Sequence, residues 1–275
     1  MISRVLYTGE DTAYRPTKAL WKDCPLFGGG SDPWLGIGHF DDFLQGPKTV
    51  AGVGGMSGYA AYGNTGVTFA GQGAVAGGVL EVSANDADND EAVLTDPSPG
   101  FVISDTSGAA KKLWFEALVK KASITADHLA MFVGLAADFG NAVCVAKADC
   151  LAANTGALGA FSFIGFHVDH AGPTAFDFVY KADGQTAQVL IAAAHTLVAD
   201  TWVKVGFVYD PNEATAKRIV PWVAGAPLTT YVTATQIATA TFPDAEPMGR
   251  TWATRVGEAV EHKAQLGWWG AYQLF

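Results

Sequence analysis

The chain has 275 residues, 49% of them hydrophobic and only 16% charged, with 27 acidic against 17 basic side chains and a net charge of −10. That balance offers no basic stripe, which excludes phosphate-neutralising nucleic-acid binding and adhesion to an anionic membrane surface. No run of about 18 apolar residues could span a bilayer, and a chain of this length buries roughly three quarters of its unfolded surface without a metal or disulfide staple.

Residues 1–48 read as an N-terminal arm, mostly irregular. The first ten residues lack an apolar core of signal-peptide length, so no leader is expected. Between Trp21 and Phe40 large apolar groups recur with no period of 2 or 3.6, interrupted by Gly28, Gly29, Gly30 and Pro33. Trp21, Phe27, Trp34, Leu35, Ile37 and Phe40 are costly to leave in water, at about 1.5–3 kcal/mol each for full burial. They must pack on something: the chain's own core edge, or a neighbouring subunit. They are the candidate partner-binding residues.

Strands fill residues 49–275. Short glycine-bounded runs at Val67 to Ala70 and Gly78 to Ser83 are followed by Ala92 to Thr95 and Phe101 to Ser104. Lys112 to Lys121 places Leu113, Phe115, Ala117 and Val119 on one face, and His128 to Leu135 does the same with Leu129, Met131, Val133 and Leu135. The alanine-rich window Ala142 to Ala153 is the place for one short helix. Phe161 to Val168 is apolar on both faces, as a central strand is. Asp183-Gly184 between two alternating runs predicts a type I′ hairpin, because both central residues then take positive φ. Thr201 to Asp210 alternates Val203, Val205, Phe207 and Tyr209 against Trp202, Lys204, Gly206 and Val208. Arg218 to Val223 follows, Tyr231 to Phe242 reads as a weak strand or a loop, and Gln265 to Phe275 closes the chain. Turn-separated strands about ten residues apart predict an all-β sandwich.

Several of these runs resemble a family. Phe115-Glu116-Ala117, Phe132 to Ala137, Ile164 to Val168, Thr201 to Phe207, Pro221 to Gly225 and Leu266 to Gln273 are similar to the concanavalin A-like jelly rolls of tailed-bacteriophage structural proteins. The resemblance covers about residues 50–275 and leaves the arm unmatched. It implies a jelly-roll sandwich of two antiparallel sheets in a virion component assembled in the host cytoplasm, most often a capsid decoration or cement protein. It also implies the major capsid protein or another virion protein as partner. Self-association, with a trimer matching capsid local symmetry, would accompany that role.

Several chemistry-bearing residues bear on that expectation. Jelly-roll glucanases carry their two carboxylates on one strand as Glu-x-Asp-x-x-Glu, a run absent here, so the chain is expected not to be an enzyme. Asp86, Asp88 and Asp90 form the densest acidic stretch and could offer oxygens to Ca²⁺, although an EF-hand would need Gly and Glu where Glu91 and Pro97 stand. A solvated turn is the competing reading. His167, Asp169 and His170 suggest either a metal site or a hydrogen-bonded strand end. The odd trio Cys24, Cys144 and Cys150 suggests free thiols, with a Cys144–Cys150 bridge as the alternative. Trp202, Trp222, Trp268 and Trp269 raise the alternative function of a carbohydrate-binding, lectin-like module of a phage tail or fibre, with a glycan as partner. Trp268 and Trp269, being adjacent, point to opposite faces of their strand.

Overall fold

The computed structural model describes residues 14–25, 35–43, 50–51, 54–56, 58–72, 78–84, 87–97, 99–104, 106, 110–137 and 150–275. Their strands, in chain order, are β1 (Gly36–Asp41), β2 (Val50–Ala51), β3 (Gly54–Met56), β4 (Tyr59–Gly63), β5 (Thr68–Gly71), β6 (Leu80–Ala84), β7 (Glu91–Thr95) and β8 (Leu113–Lys121). There follow β9 (Leu129–Ala137), β10 (Ser162–Val168), β11 (Ala175–Lys181), β12 (Gln188–Thr196), β13 (Trp202–Tyr209), β14 (Ile219–Val223), β15 (Ala226–Pro227), β16 (Gly249–Val256) and β17 (His262–Leu274). A single four-residue helix among them, α1 (Ala234–Ile237), opens with a capping box between Thr233 and Gln236.

Two antiparallel sheets stack face to face. Sheet A runs β15-β14-β13-β8-β17-β6-β5-β2, and sheet B runs β12-β11-β10-β9-β16-β7-β4-β3. The chain has the all-β jelly-roll architecture that its alternation predicts. Leu113, Phe115, Ala117 and Val119 of β8 and Val203, Val205, Phe207 and Tyr209 of β13 all face the shared core, against Met131, Val133, Ile164, Phe166 and Phe178 of sheet B. Phe207 stacks on Phe115 at 5.4 Å and meets Phe178 edge-on at 6.0 Å, so aromatic contacts join the two layers.

Three expectations are corrected, and a fourth falls mostly outside the described residues. The hairpin at Asp183-Gly184 has its strands ending at Lys181 and restarting at Gln188, and of the two turn residues only Gly184 takes positive φ. The loop widens because the Ala182 N–H turns away to the Thr241 carbonyl at 2.8 Å. The stretch from Tyr231 holds α1, since the Thr233–Gln236 box satisfies a helix start. The helix expected at 142–153 falls mostly outside the described residues, and its described end is extended, with Leu151 bridged to Leu158. Phe101 makes one bridge to Met248 and no strand.

Residues 36–41, inside the expected arm, are strand β1. It pairs with β17 from Gly36↔Leu274 to Asp41↔Trp269, taking over where β6 stops pairing at Leu266. Glycine is needed there: a Cβ on Gly38 would stand 2.3 Å from the Tyr272 ring, which lies across this strand.

Candidate functional site

Part of the outer face of sheet A is covered by the chain itself. Leu20, Trp21 and Cys24 pack on Trp114 and Tyr272, with Val208, Trp222 and Leu274 at the margin. Beneath them lies Glu116, only 1% exposed, on the outward face of β8. Its Oε2 accepts the Thr17 backbone N–H at 2.8 Å and the Trp21 indole N–H at 2.7 Å. Burial pushes the Glu116 carboxyl up to about 7, against these donors and Lys204, which pull it down. Farther along, Phe40 stacks on Trp268 at 5.8 Å and Tyr14 meets Trp202 edge-on at 6.3 Å.

The expected partner-binding residues therefore divide. Trp21 is 3% exposed and buried on the chain's own sheet, Ile37 and Phe40 are half-buried in β1, and Leu35 is 47% exposed. Phe27 and Trp34 lie outside the described residues. Trp268 does face outward and Trp269 inward, as adjacent strand residues must, but Trp268 is covered by Phe40 and is 4% exposed.

Sheet B presents a different outer face. Val93, Ala130, Phe132, Ala136, Phe163 and Ala253 form an apolar floor covered by Cys150 and Leu151. Those two belong to a strap, residues 150–161, closed by the Leu151↔Leu158 bridge. Four polar side chains of the face grip this strap. Glu91 Oε1 accepts the Leu151 N–H at 2.6 Å, while Arg255 donates to the Leu151 carbonyl, so both backbone groups of one residue are held. His167 Nε2 meets the Gly156 carbonyl at 2.8 Å, and Lys181 donates to the Gly159 carbonyl. Asn89 and Asn154 exchange bonds at the strap's turn, at 2.6 and 3.3 Å. Burial pulls the His167 imidazole and the Lys181 ammonium below their ordinary ranges, and it pushes the Cys150 thiol well up. Tyr62, Leu158 and Phe161 border the covered floor and remain half-exposed.

Two carboxylates of the described residues face outward from sheet B, Glu91 on β7 and Asp177 on β11. Four strand spacings separate them, about 19 Å, too far for the ~5–9.5 Å of a glycosidase pair.

The metal expectations resolve by position. Asp86 lies outside the described residues, Asp88 is exposed, and Asp90 is buried in the turn before β7, its carbonyl accepting the Val256 N–H. His167, Asp169 and His170 diverge: Asp169 Oδ1 takes the Gly172 N–H at 2.5 Å, and His170 sits beside Asp127 at 3.5 Å. Cys24 and Cys150 are buried, and Cys144 lies outside the described residues. Among the described residues, three other ligand-type side chains do converge: His128, Glu258 and His262. Sequence reading missed them because 130 residues separate the first two.

No protein-family model matches the chain, and no curated protein is similar to it in sequence. Solved structures do match in shape. Peanut lectin is 13% identical with a TM-score of 0.54, covering 87% of this chain and 98% of the lectin. The endo-1,3-beta-glucanase of Streptomyces sioyaensis is 11% identical with a TM-score of 0.53, covering 90% of this chain and 98% of the enzyme. The endo-beta-1,4-glucuronan lyase of Trichoderma reesei is 8% identical with a TM-score of 0.51, covering 85% and 94%. These likenesses correct the expectation that the chain is not an enzyme, because the same architecture serves a glucanase and a lyase. The capsid role implied by the sequence resemblance gains no support from them. At such identities they carry the fold alone: the chain has the concanavalin A-like jelly-roll sandwich fold that these proteins share.

Proposed function

We propose that the chain is a carbohydrate-recognition domain whose ligand surface is the strap-bearing face of sheet B. The observation that carries this reading is the fold shared with peanut lectin over 98% of that protein. The arrangement of the two faces supports the choice of surface. Leu20 and Trp21 cover the centre of sheet A. Sheet B borders its strap with the half-exposed rings of Tyr62 and Phe161, and the strap exposes Asn154 and Thr155. Flat apolar rings beside amide and hydroxyl groups suit a sugar, whose faces are apolar C–H surface rimmed by hydroxyls.

A glycan array probed with the intact protein tests this. Retention of a glycan that falls at least tenfold in Phe161→Ala or Tyr62→Ala, and is unchanged in Tyr14→Ala on the opposite sheet, is the expected result. Retention of no glycan would sink the function, and retention indifferent to both aromatic variants would move it off this face. The phage-like motifs support placing such a module on a virion tail or fibre, where host glycans are met. Labelled antibody on purified particles checks that placement.

A further inference from the structure

We infer that His128, Glu258 and His262 form a binding site for a zinc-class divalent cation at one end of the sandwich, independent of the proposed glycan face. The backbone brings them together. The β9–β16 ladder ends at Leu129↔Val256, and the next bond, from the Gly257 N–H to the His128 carbonyl at 3.3 Å, sets Glu258 beside His128. The turn from β16 to β17 then crosses from sheet B to sheet A, and His262 opens β17 opposite Ala84 of β6. Gly257 makes this approach feasible: a Cβ there would stand 2.6 Å from both the Asp127 carbonyl and His170 Nδ1.

The side chains converge on one point. His128 Nε2 lies 2.8 Å and His262 Nε2 2.9 Å from the same oxygen, Glu258 Oε1, and the three ligand atoms fall within 4.8 Å of one another. The two imidazole rings stack at 4.2 Å with 24° between their planes. Two protonated imidazoles so placed would repel one another across a single carboxylate, whereas two neutral rings can share one cation with it. Zinc takes nitrogen at about 2.0–2.1 Å and carboxylate oxygen at about 2.0–2.2 Å, so tetrahedral ligand atoms stand about 3.3 Å apart. The observed separations need open by only about half an ångström, a small rotation for a glutamate that is 35% exposed.

A second observation fits a ligand role. Ser123 Oγ lies 2.6 Å from His128 Nδ1. Once a cation displaces the Nε2 proton, Nδ1 carries the ring's remaining proton and can donate to this hydroxyl, the outer-shell arrangement that orients a metal-binding histidine. Two imidazoles and one carboxylate suit Zn²⁺ better than Ca²⁺ or Mg²⁺, which take oxygen. Three protein ligands on a partly exposed end leave a fourth position to water, as open zinc sites do.

The test is Zn²⁺ titration of the intact protein against a chromophoric chelator, followed by thermal melting with Zn²⁺, Ca²⁺ or Mg²⁺. One Zn²⁺ per chain, a raised Tm with zinc and no shift with the other two ions are expected. His128→Asn and Glu258→Gln should each weaken binding at least tenfold, and Ser123→Ala about tenfold, the scale of an outer-shell loss. Co²⁺ in place of Zn²⁺ should give visible ligand-field bands without thiolate charge transfer, separating this site from the cysteines. If the buried His262→Asn variant fails to fold, Glu258→Gln in the exposed turn decides. Equal zinc affinity in Glu258→Gln and the native chain, or a thiolate Co²⁺ spectrum, would overturn the site.

Discussion

The indole N–H of Trp21 donates to Glu116 Oε2 at 2.7 Å, across 95 residues of sequence. One bond thereby fixes the N-terminal segment to the outward face of a central strand, and it makes the segment part of the sandwich's packing. Glu116 titrates at about 7 when folded against an ordinary value of 4.5. Between those pH values the folded chain keeps a proton that the unfolded chain has released, so stability falls as pH rises through the window and stays low above it. The shift corresponds to a cost on the order of 3 kcal/mol at pH 8. Urea denaturation of native protein and Glu116→Gln at pH 4.5 and pH 8 should show the variant gaining relative stability with pH. Parallel curves would contradict the buried carboxyl.

Trp21→Ala should cost about 3–5 kcal/mol, the range for emptying a large aromatic site. Removing residues 1–25 altogether would uncover Trp114 and Tyr272, and is expected to lower Tm and increase binding of an apolar dye. An unchanged melting curve for the truncated chain would show that this segment merely rests on the sheet.

Arg250 and Asp96 form a buried pair bonded at 2.7, 2.9 and 3.2 Å, with the guanidinium 4.7 Å from the Trp269 ring centre. Arg250→Ala strands a carboxylate in the interior and should destabilise by about 3–5 kcal/mol. The double variant Arg250→Met, Asp96→Asn should recover part of that loss. Chemical denaturation of the native chain, Arg250→Met, Asp96→Asn and the double variant, read as a cycle, measures the coupling.

Lys121 sits at the edge of the core, 2% exposed, its ammonium 3.3 Å from the Pro173 carbonyl. Burial pulls its pKa down to about 7, with Asp169 opposing. Between about 7 and 10.5 the unfolded chain holds a proton that the folded chain lacks, so stability from this group rises with pH across that interval. Lys121→Met should therefore be more stable than the native chain at pH 7, and the gap should close toward pH 10. A gap that widens with pH would refute the burial argument.

Glu91 and Arg255 clamp the two backbone groups of Leu151. Glu91→Ala should loosen the strap before the sheet. Amide exchange at Leu151 and Ala152 is expected to accelerate at least tenfold while Phe132 and Val133 stay protected. Uniform acceleration would mean that the strap and sheet open together.

Period-two alternation made β8, β9, β13 and β17 legible, because one face of each meets a core of fixed polarity. The same rule hid β16. Arg250 faces inward to Asp96 and Arg255 outward to the strap, so charge stands on both faces and no alternation survives. β1 was hidden for a different reason: Gly36 and Gly38 carry no side chain to alternate, since the Tyr272 ring occupies their space. The strap and the histidine site were illegible because their bonds join residues that only the folded sheets bring together, such as Glu91 with Leu151 and His128 with Glu258. The resemblance read from local runs reached the architecture, since those runs are strand cores, and it could not reach a binding surface built between strands.

The order of strands in sheet A sets a schedule for synthesis. β17, the last of the described strands in chain order, lies between β8 and β6, and it also anchors β1. Until residues 262–274 leave the ribosome, the inner flanks of two strands stand open and Trp21 lacks half of its seat. Folding of this sheet must wait for β17, and a nascent chain stalled before it would present sticky, half-built ribbons to its surroundings.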